Sequence, residues 1–141
     1  MKILLADDHK LVRSGIRRLL EELPGIQVIG EADDGEHAIE IVQRDAPDIV
    51  IADISMPRMN GLELSTWLSR NVPQVKVIVL SMHESEEYVL EALESGARGY
   101  LLKQSATEEM ELALRAVGAG DIYLSPSISR HMVTAYLNRP D

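Results

Sequence analysis

The sequence predicts a doubly wound α/β fold, a five-stranded parallel sheet in the order 2-1-3-4-5 with helices on both faces and an extra helix at the C-terminal end. Three observations carry this. Short apolar runs of four to six residues recur along the chain, several of them rich in Val and Ile. Such runs fit strands buried on both faces. A segment with helical period follows each run, and that alternation means a parallel sheet. No G-x-G-x-x-G motif follows the first run and no P-loop is present, which argues against a dinucleotide-binding order.

The elements follow in order. Ile3 to Ala6 is the first strand. Leu11, Val12, Ile16, Leu19, Leu20 and Leu23 then form one apolar stripe, with Arg13, Arg17, Arg18, Glu21 and Glu22 mostly opposite it. Pro24-Gly25 ends that helix. Gln27 to Ala32 is the second strand, and Asp34 caps a helix carrying Ala38, Ile39, Ile41 and Val42. Ile49 to Ala52 is the third strand, and Asn60 with Glu63 reads as a capping box for the third helix. Val75 to Leu80 is the fourth strand, with a helix from about Glu84 to Ser95 ended by Gly96. Gly99 to Leu102 is the fifth, and Ser105 with Glu108, or Thr107, opens a helix to about Gly118. Residues 121–126 read as a connector and Ser127 to Leu137 as a last helix, with Ile128, Met132, Val133 and Tyr136 on one side. Asn138 to Asp141 has nothing to fold with. The apolar side of the last helix is expected to pack on the fifth helix or on another copy of the chain. A homodimer through the tail or through helices one and five is favoured, with the arginines of helix one as weak support.

Composition narrows the function classes. The chain has 141 residues, 45% hydrophobic and 26% charged, an ordinary soluble globular composition. Its net charge of −9 argues against a nucleic-acid-binding surface. It contains no cysteine, which removes disulfides and thiolate chemistry, and no Phe, so aliphatic side chains fill the core. No run reaches the roughly 18 apolar residues of a membrane span. Asp7 and Asp8 cut the apolar N-terminus too short for a signal peptide. A cytoplasmic protein without a membrane partner is expected.

Functional groups of a doubly wound sheet gather at the carboxyl ends of its strands. Asp7 and Asp8 stand after strand one, Asp53 after strand three, Ser81 after strand four and Lys103 after strand five. A lone Asp after a strand is commonly a cap or turn residue. Asp8 alone would be read as a cap of the first helix. At the ends of adjacent strands, however, three carboxylates repel one another unless a cation lies between them. Hard oxygens at this count suit Mg²⁺, which also bridges phosphoryl groups. Asp53, central in the sheet, is the natural nucleophile for an acyl phosphate. Lys103 and Ser81 are placed for phosphoryl oxygens. His9, His37, His83 and His131 lack ligand spacing with one another and read as surface residues. His83, two residues past Ser81, is placed to shape water access.

Leu4-Leu5-Ala6-Asp7-Asp8-His9, the run Asp53 to Glu63, and Gly96-Ala97-Arg98-Gly99-Tyr100-Leu101-Leu102-Lys103 resemble, in order and separation, the motifs of response-regulator receiver domains. Gly120 to Pro126 and Ser81-Met82-His83 are similar to the NarL/FixJ (LuxR-type) subgroup. The resemblance covers about residues 2–120 and implies a flavodoxin-like fold. It implies a receiver domain over 1–120 and a linker with a short helix over 121–141. In that subgroup the linker leads towards a helix-turn-helix DNA-binding domain, which does not begin before Asp141. By resemblance, Asp53 accepts a phosphoryl group from a sensor histidine kinase. Asp8, Asp53 and the Ser55 backbone carbonyl hold Mg²⁺, with Asp7 reaching it through water. Lys103 and Ser81 bind phosphoryl oxygens, and Tyr100 turns inward when Ser81 moves. The implied role is phosphorylation-dependent control of transcription through a conformational or dimerisation switch, with DNA reached only through an output domain.

A free-standing receiver that acts by binding another protein is the alternative, and the linker-like tail argues against it. A phosphohydrolase of the haloacid-dehalogenase type needs a second Asp two residues after the nucleophile, where this chain has Ser55. At most slow self-dephosphorylation is expected. Many receivers have proline after the lysine, with a cis bond. Gln104 stands there, and the cis or trans state of the Lys103–Gln104 bond is open at this point.

Overall fold

In a computed structural model, which describes Met1 to Pro140, the chain folds as alternating strands and helices. Asp141, the end of the expected unpaired tail, lies outside the described residues. The strands are β1 (Lys2–Ala6), β2 (Gln27–Ala32), β3 (Ile49–Asp53), β4 (Lys76–Ser81), β5 (Gly99–Leu102) and β6 (Tyr123–Leu124). The helices are α1 (Lys10–Glu21), α2 (Gly35–Asp45), α3 (Gly61–Asn71), α4 (Glu86–Glu94), α5 (Ala106–Gly118) and α6 (Pro126–Leu137). All neighbours pair in parallel, in the order β2-β1-β3-β4-β5-β6. The five expected strands and their order hold.

Every residue of β3 and β5 is buried, which is why these strands read as unbroken apolar runs. Two cores result. One face packs Leu4, Ala6, Val50, Ala52, Val77, Val79, Tyr100 and Leu102 against α2, α3 and α4. The other packs Ile3, Leu5, Ile49, Ile51, Ile78 and Leu80 against α1 and α5. The alternation of strand residues between the two clusters is the pleat itself.

The caps follow the sequence where a side chain had a backbone donor in reach. Asp34 accepts from the His37 amide, and Asn60 with Glu63 closes a reciprocal capping box. Ser105 precedes α5 but makes no side-chain cap bond, because Lys103–Ser105 forms a 3₁₀ turn leading into the helix. Asp8 does not cap α1; His9 occupies that position, also without a side-chain cap bond. The Lys103–Gln104 bond is trans.

Four expectations need correction. Residues 121–126 are not only a connector. Tyr123 and Leu124 add a sixth strand to the edge of β5, aligned with Gly99 and Tyr100. The last helix packs on α4, not on α5. Ile128 is fully buried and Met132 packs beside it, while Val133 and Tyr136 stay exposed. On α1 only Ile16 and Leu20 are buried, and Leu11 is 87% exposed. Arg13 and Arg17 are not a free basic strip either, because Glu31 and Asp33 pair with them at 2.5–2.8 Å. Among the described residues, no helix is long and apolar enough to cross a membrane.

Candidate phosphoacceptor site

The parallel sheet delivers its strand ends to one side, and the polar groups of β1, β3, β4 and β5 converge there. Asp7, just past β1, is fully buried, and its Oδ1 accepts the His9 backbone N–H at 2.8 Å. Asp53, the last residue of β3, is 1% exposed. Its Oδ1 accepts the Ser55 N–H at 3.0 Å, and its Oδ2 accepts from Lys103 Nζ at 2.7 Å. Asp8 is partly exposed beside them.

Burial pushes the Asp7 carboxyl above its ordinary range. The bond from the His9 amide opposes that rise, and the neighbouring Asp53 charge adds to it. Among the described residues, Asp7 Oδ2 and Asp8 Oδ1 are buried side-chain atoms without a hydrogen-bond partner. Buried carboxylate oxygens left unpaired are costly. Hard anionic oxygens orphaned at one point are a donor set that fits a small divalent cation.

The loop after β3 is held by close backbone approach. A Cβ on Gly61 would lie 2.3 Å from the Asp53 carbonyl oxygen, so only glycine lets the start of α3 sit against the end of β3. Arg58 adopts a left-handed φ of 64°. Its guanidinium is held by the buried Asp34 carboxylate, with Nε at 2.7 Å. The backbone bond to His37, then the Arg58 side chain, hold the Asp34 carboxyl below its ordinary range. The loop is therefore fixed to the N-terminus of α2.

On the other side of the pocket, Ser81 closes β4, and its hydroxyl accepts the His83 N–H at 2.9 Å. Tyr100, in the middle of β5, is fully buried and inward. Its hydroxyl donates to the His83 carbonyl at 2.7 Å. Both side chains are thus tied to the backbone of one residue. The His83 ring itself stacks on Tyr88 at 4.0 Å. Outside β5, the Ser125 hydroxyl accepts the Leu102 N–H at 3.1 Å, and the Ser125 N–H donates to the Tyr100 carbonyl.

Asp7, Asp8, Asp53 and Lys103 therefore form one cluster, while Ser81 and Tyr100 both bond to the backbone of His83. Reading the sequence for ligand spacing missed His9, whose Nδ1 lies 3.2–3.6 Å from three carboxylates. Its adjacency to Asp7 and Asp8 was the available signal. It also missed the Arg58–Asp34 pair and Ser125, for which no local signal existed.

Residues 3–115 match the family described as the response regulator receiver domain. The chain is 38% identical over 136 residues to the transcriptional regulatory protein DegU of Brevibacillus brevis, covering 96% of this chain and 58% of that protein. It is 40% identical over 132 residues to the response regulator GacA of Pseudomonas aeruginosa, covering 94% and 62%. To the response regulator UvrY of Escherichia coli it is 39% identical over 137 residues, covering 97% and 63%. The chain thus spans less than two thirds of these relatives. Among solved structures, a LuxR-family two-component response regulator from Aurantimonas superposes with a TM-score of 0.93 at 34% identity, covering 97% of this chain and 98% of that one. The isolated receiver domain of RcsB from Salmonella enterica serovar Typhimurium, with the phosphomimetic BeF₃⁻, gives 0.85 at 31% identity, covering 93% and 97%. Those relatives are regulators rather than enzymes of the ordinary kind. On this match, the chain belongs to the response regulator receiver domain family, in its NarL/FixJ (LuxR-type) branch.

Proposed function

We propose that Asp53 is the phosphoacceptor of a two-component regulator, charged by a sensor histidine kinase. The observation that carries this is the buried Asp53 carboxylate, bonded to Lys103 on one oxygen and to the Ser55 amide on the other. An Asp53 oxygen attacks phosphorus, the bond from phosphorus to the donor histidine nitrogen breaks, and a mixed anhydride forms on Asp53. Lys103 moves from the carboxylate to the incoming phosphoryl oxygens as a point charge. The Ser81 hydroxyl donates to another of those oxygens.

Asp8, Asp53 and the Ser55 carbonyl would hold Mg²⁺, with Asp7 reaching it through water, and the ion when bound would supply positive charge for the phosphoryl oxygens. The orphaned oxygens of Asp7 and Asp8 support this assignment. Ser55 supplies no carboxylate to activate water, so self-dephosphorylation is slow.

The switch runs through Ser81 and Tyr100, since a ligand shifts an equilibrium only through different contacts in the two states. A hydrogen bond from Ser81 to phosphate withdraws its hydroxyl from the His83 amide, and the His83 carbonyl holds Tyr100. Residues 1–120 act as the receiver and 121–141 as the linker towards an output element. The whole protein works in the cytoplasm, controls transcription, and pairs with a second copy through the tail or through α1 and α5.

Beryllofluoride, a phosphoryl mimic, tests the reading without a kinase. With Mg²⁺ it is expected to shift the amide resonances of Asp53, Ser81, His83 and Tyr100 together, and to raise the dimer fraction in a size measurement. Shifts confined to residues away from these strand ends would overturn the site.

A further inference from the structure

The loop between β3 and α3 begins and ends at Asp53, yet its middle is exposed and held from outside. At its start the Ile54 N–H donates to the Leu80 carbonyl at 2.9 Å, and at its end Gly61 sits against the Asp53 carbonyl. Ser55, Pro57 and Arg58 are exposed. The Met59 N–H donates to the Pro57 carbonyl at 2.7 Å, closing a three-residue turn around Arg58, whose φ is 64°. A three-residue turn with a positive central φ is the rare, strained kind of γ-turn, and arginine carries a steric cost there that glycine escapes. The turn is clasped from α2. The buried Asp34 carboxylate accepts the His37 N–H at 2.8 Å on Oδ1, and on Oδ2 it accepts Arg58 Nε at 2.7 Å and Nη2. The Gly35 N–H donates to the Met59 carbonyl at 2.9 Å. A Cβ on Gly35 would lie 2.6 Å from Met59 Cγ, so this contact leaves no slack. Only Met56 and Pro57 lie between Ser55 and the centre of the turn. Proline fixes its own φ and restricts the residue before it, so that link is stiff.

We propose that Arg58 is a positioning residue for the pocket: its clasp to Asp34 holds the strained turn closed, and the closed turn sets the Ser55 backbone against Asp53, a role that rests on the reading of Asp53 and the Ser55 carbonyl as cation ligands. Without the guanidinium, a non-glycine residue at position 58 relaxes to a negative φ. The stiff Met56-Pro57 link carries that rotation back to Ser55. Octahedral coordination tolerates little displacement of a ligand. A carbonyl that binding must first pull back, together with the strained turn, therefore holds the ion less tightly. The charge of Arg58 acts in the opposite direction. A positive charge in the loop disfavours a cation in the pocket, so its removal by charge alone tightens Mg²⁺ binding. The two effects of one residue thus carry opposite signs, and the sign of the measured change tells which one governs.

The test compares wild type, Arg58→Ala and Arg58→Gly in the full chain by NMR titration with MgCl₂. Arg58 is exposed, and Asp34 caps α2 without it, so both variants keep the fold. Arg58→Ala is expected to bind Mg²⁺ at least about fivefold more weakly than wild type, the cost of a left-handed non-glycine residue expressed as affinity. Arg58→Gly loses the clasp and the charge but adopts the turn freely, and is expected to bind at least about threefold more tightly than Arg58→Ala. In metal-free protein the amides of Ser55 and Gly35 should shift in Arg58→Ala and shift less in Arg58→Gly. An Arg58→Ala affinity equal to or tighter than wild type overturns the inference and leaves the Mg²⁺ site standing. Equal weakening in the two variants overturns it as well, because the turn would then carry nothing. A wild type that binds no Mg²⁺ overturns the inference together with the cation site it rests on.

Discussion

The pocket at the strand ends and the β6–α6 tail are held by opposite kinds of force. In the pocket, buried carboxylates crowd one another, and the structure tolerates the repulsion through two backbone amides and Lys103. In the tail one charged contact occurs, from the Tyr123 hydroxyl to the Glu109 carboxylate at 2.8 Å, and the rest is packing and backbone pairing. A two-residue strand, the Ser125 hydroxyl and the buried Ile128 fasten α6 to β5 and α4. The two regions meet on one element. Lys103 follows β5, Tyr100 lies within it, and Ser125 bonds to the backbone of Tyr100 and Leu102. A charge change in the pocket and the docking of the tail therefore act on the same strand from its end and its edge.

The largest effect that separates the regions is expected from Ile128→Ala. Removing a fully buried Ile from a packed site costs about 2–4 kcal/mol. The loss should appear as faster amide hydrogen exchange in α6 and β6, with beryllofluoride binding at Asp53 unchanged within about twofold. Equal loosening of α1 and α2 would show that the tail is not an independent unit.

A smaller effect of opposite sign is expected in the pocket. Burial raises the Asp7 carboxyl, so its folded value lies above its unfolded value of about 3.8. Its contribution to stability is therefore fully present below about 3.8 and is lost as pH rises through the raised folded value. Asp7→Asn removes an ionised buried group and keeps the acceptor for the His9 amide. Without divalent ions the variant should be more stable than wild type at neutral pH. The gap should close on acidification below about 4. Chemical denaturation at a series of pH values measures it. A variant less stable than wild type at neutral pH would mean that Asp7 is favourably solvated.

The same contrast explains what the sequence disclosed. Strands buried on both faces, such as Ile49–Asp53, are legible because no polar residue interrupts them. The pocket is legible because strand ends in a parallel sheet converge, so Asp7, Asp8, Asp53 and Lys103 can be placed together from order alone. Asp34 and the Asn60–Glu63 box are legible because capping is local. Tyr123–Leu124 is not legible, because two residues carry no periodicity and their strand exists only by pairing with β5. The docking of α6 on α4 escapes for the same reason, since an apolar helix face does not name its partner. Leu11 misled because helical spacing marks a stripe wider than the face that α1 buries, which is Ile16 and Leu20. His9 escaped because spacing was sought among the histidines, whereas its neighbours in the pocket are the carboxylates of Asp7, Asp8 and Asp53.

The central claim is that Asp53 carries the phosphoryl group. Intact-mass analysis and peptide mapping after incubation with a small phosphodonor and Mg²⁺ test it most directly. The account predicts one Mg²⁺-dependent phosphoryl group on the peptide containing Asp53, and none on Asp53→Asn, whose neutral amide does not attack phosphorus. Equal labelling of wild type and Asp53→Asn would contradict it.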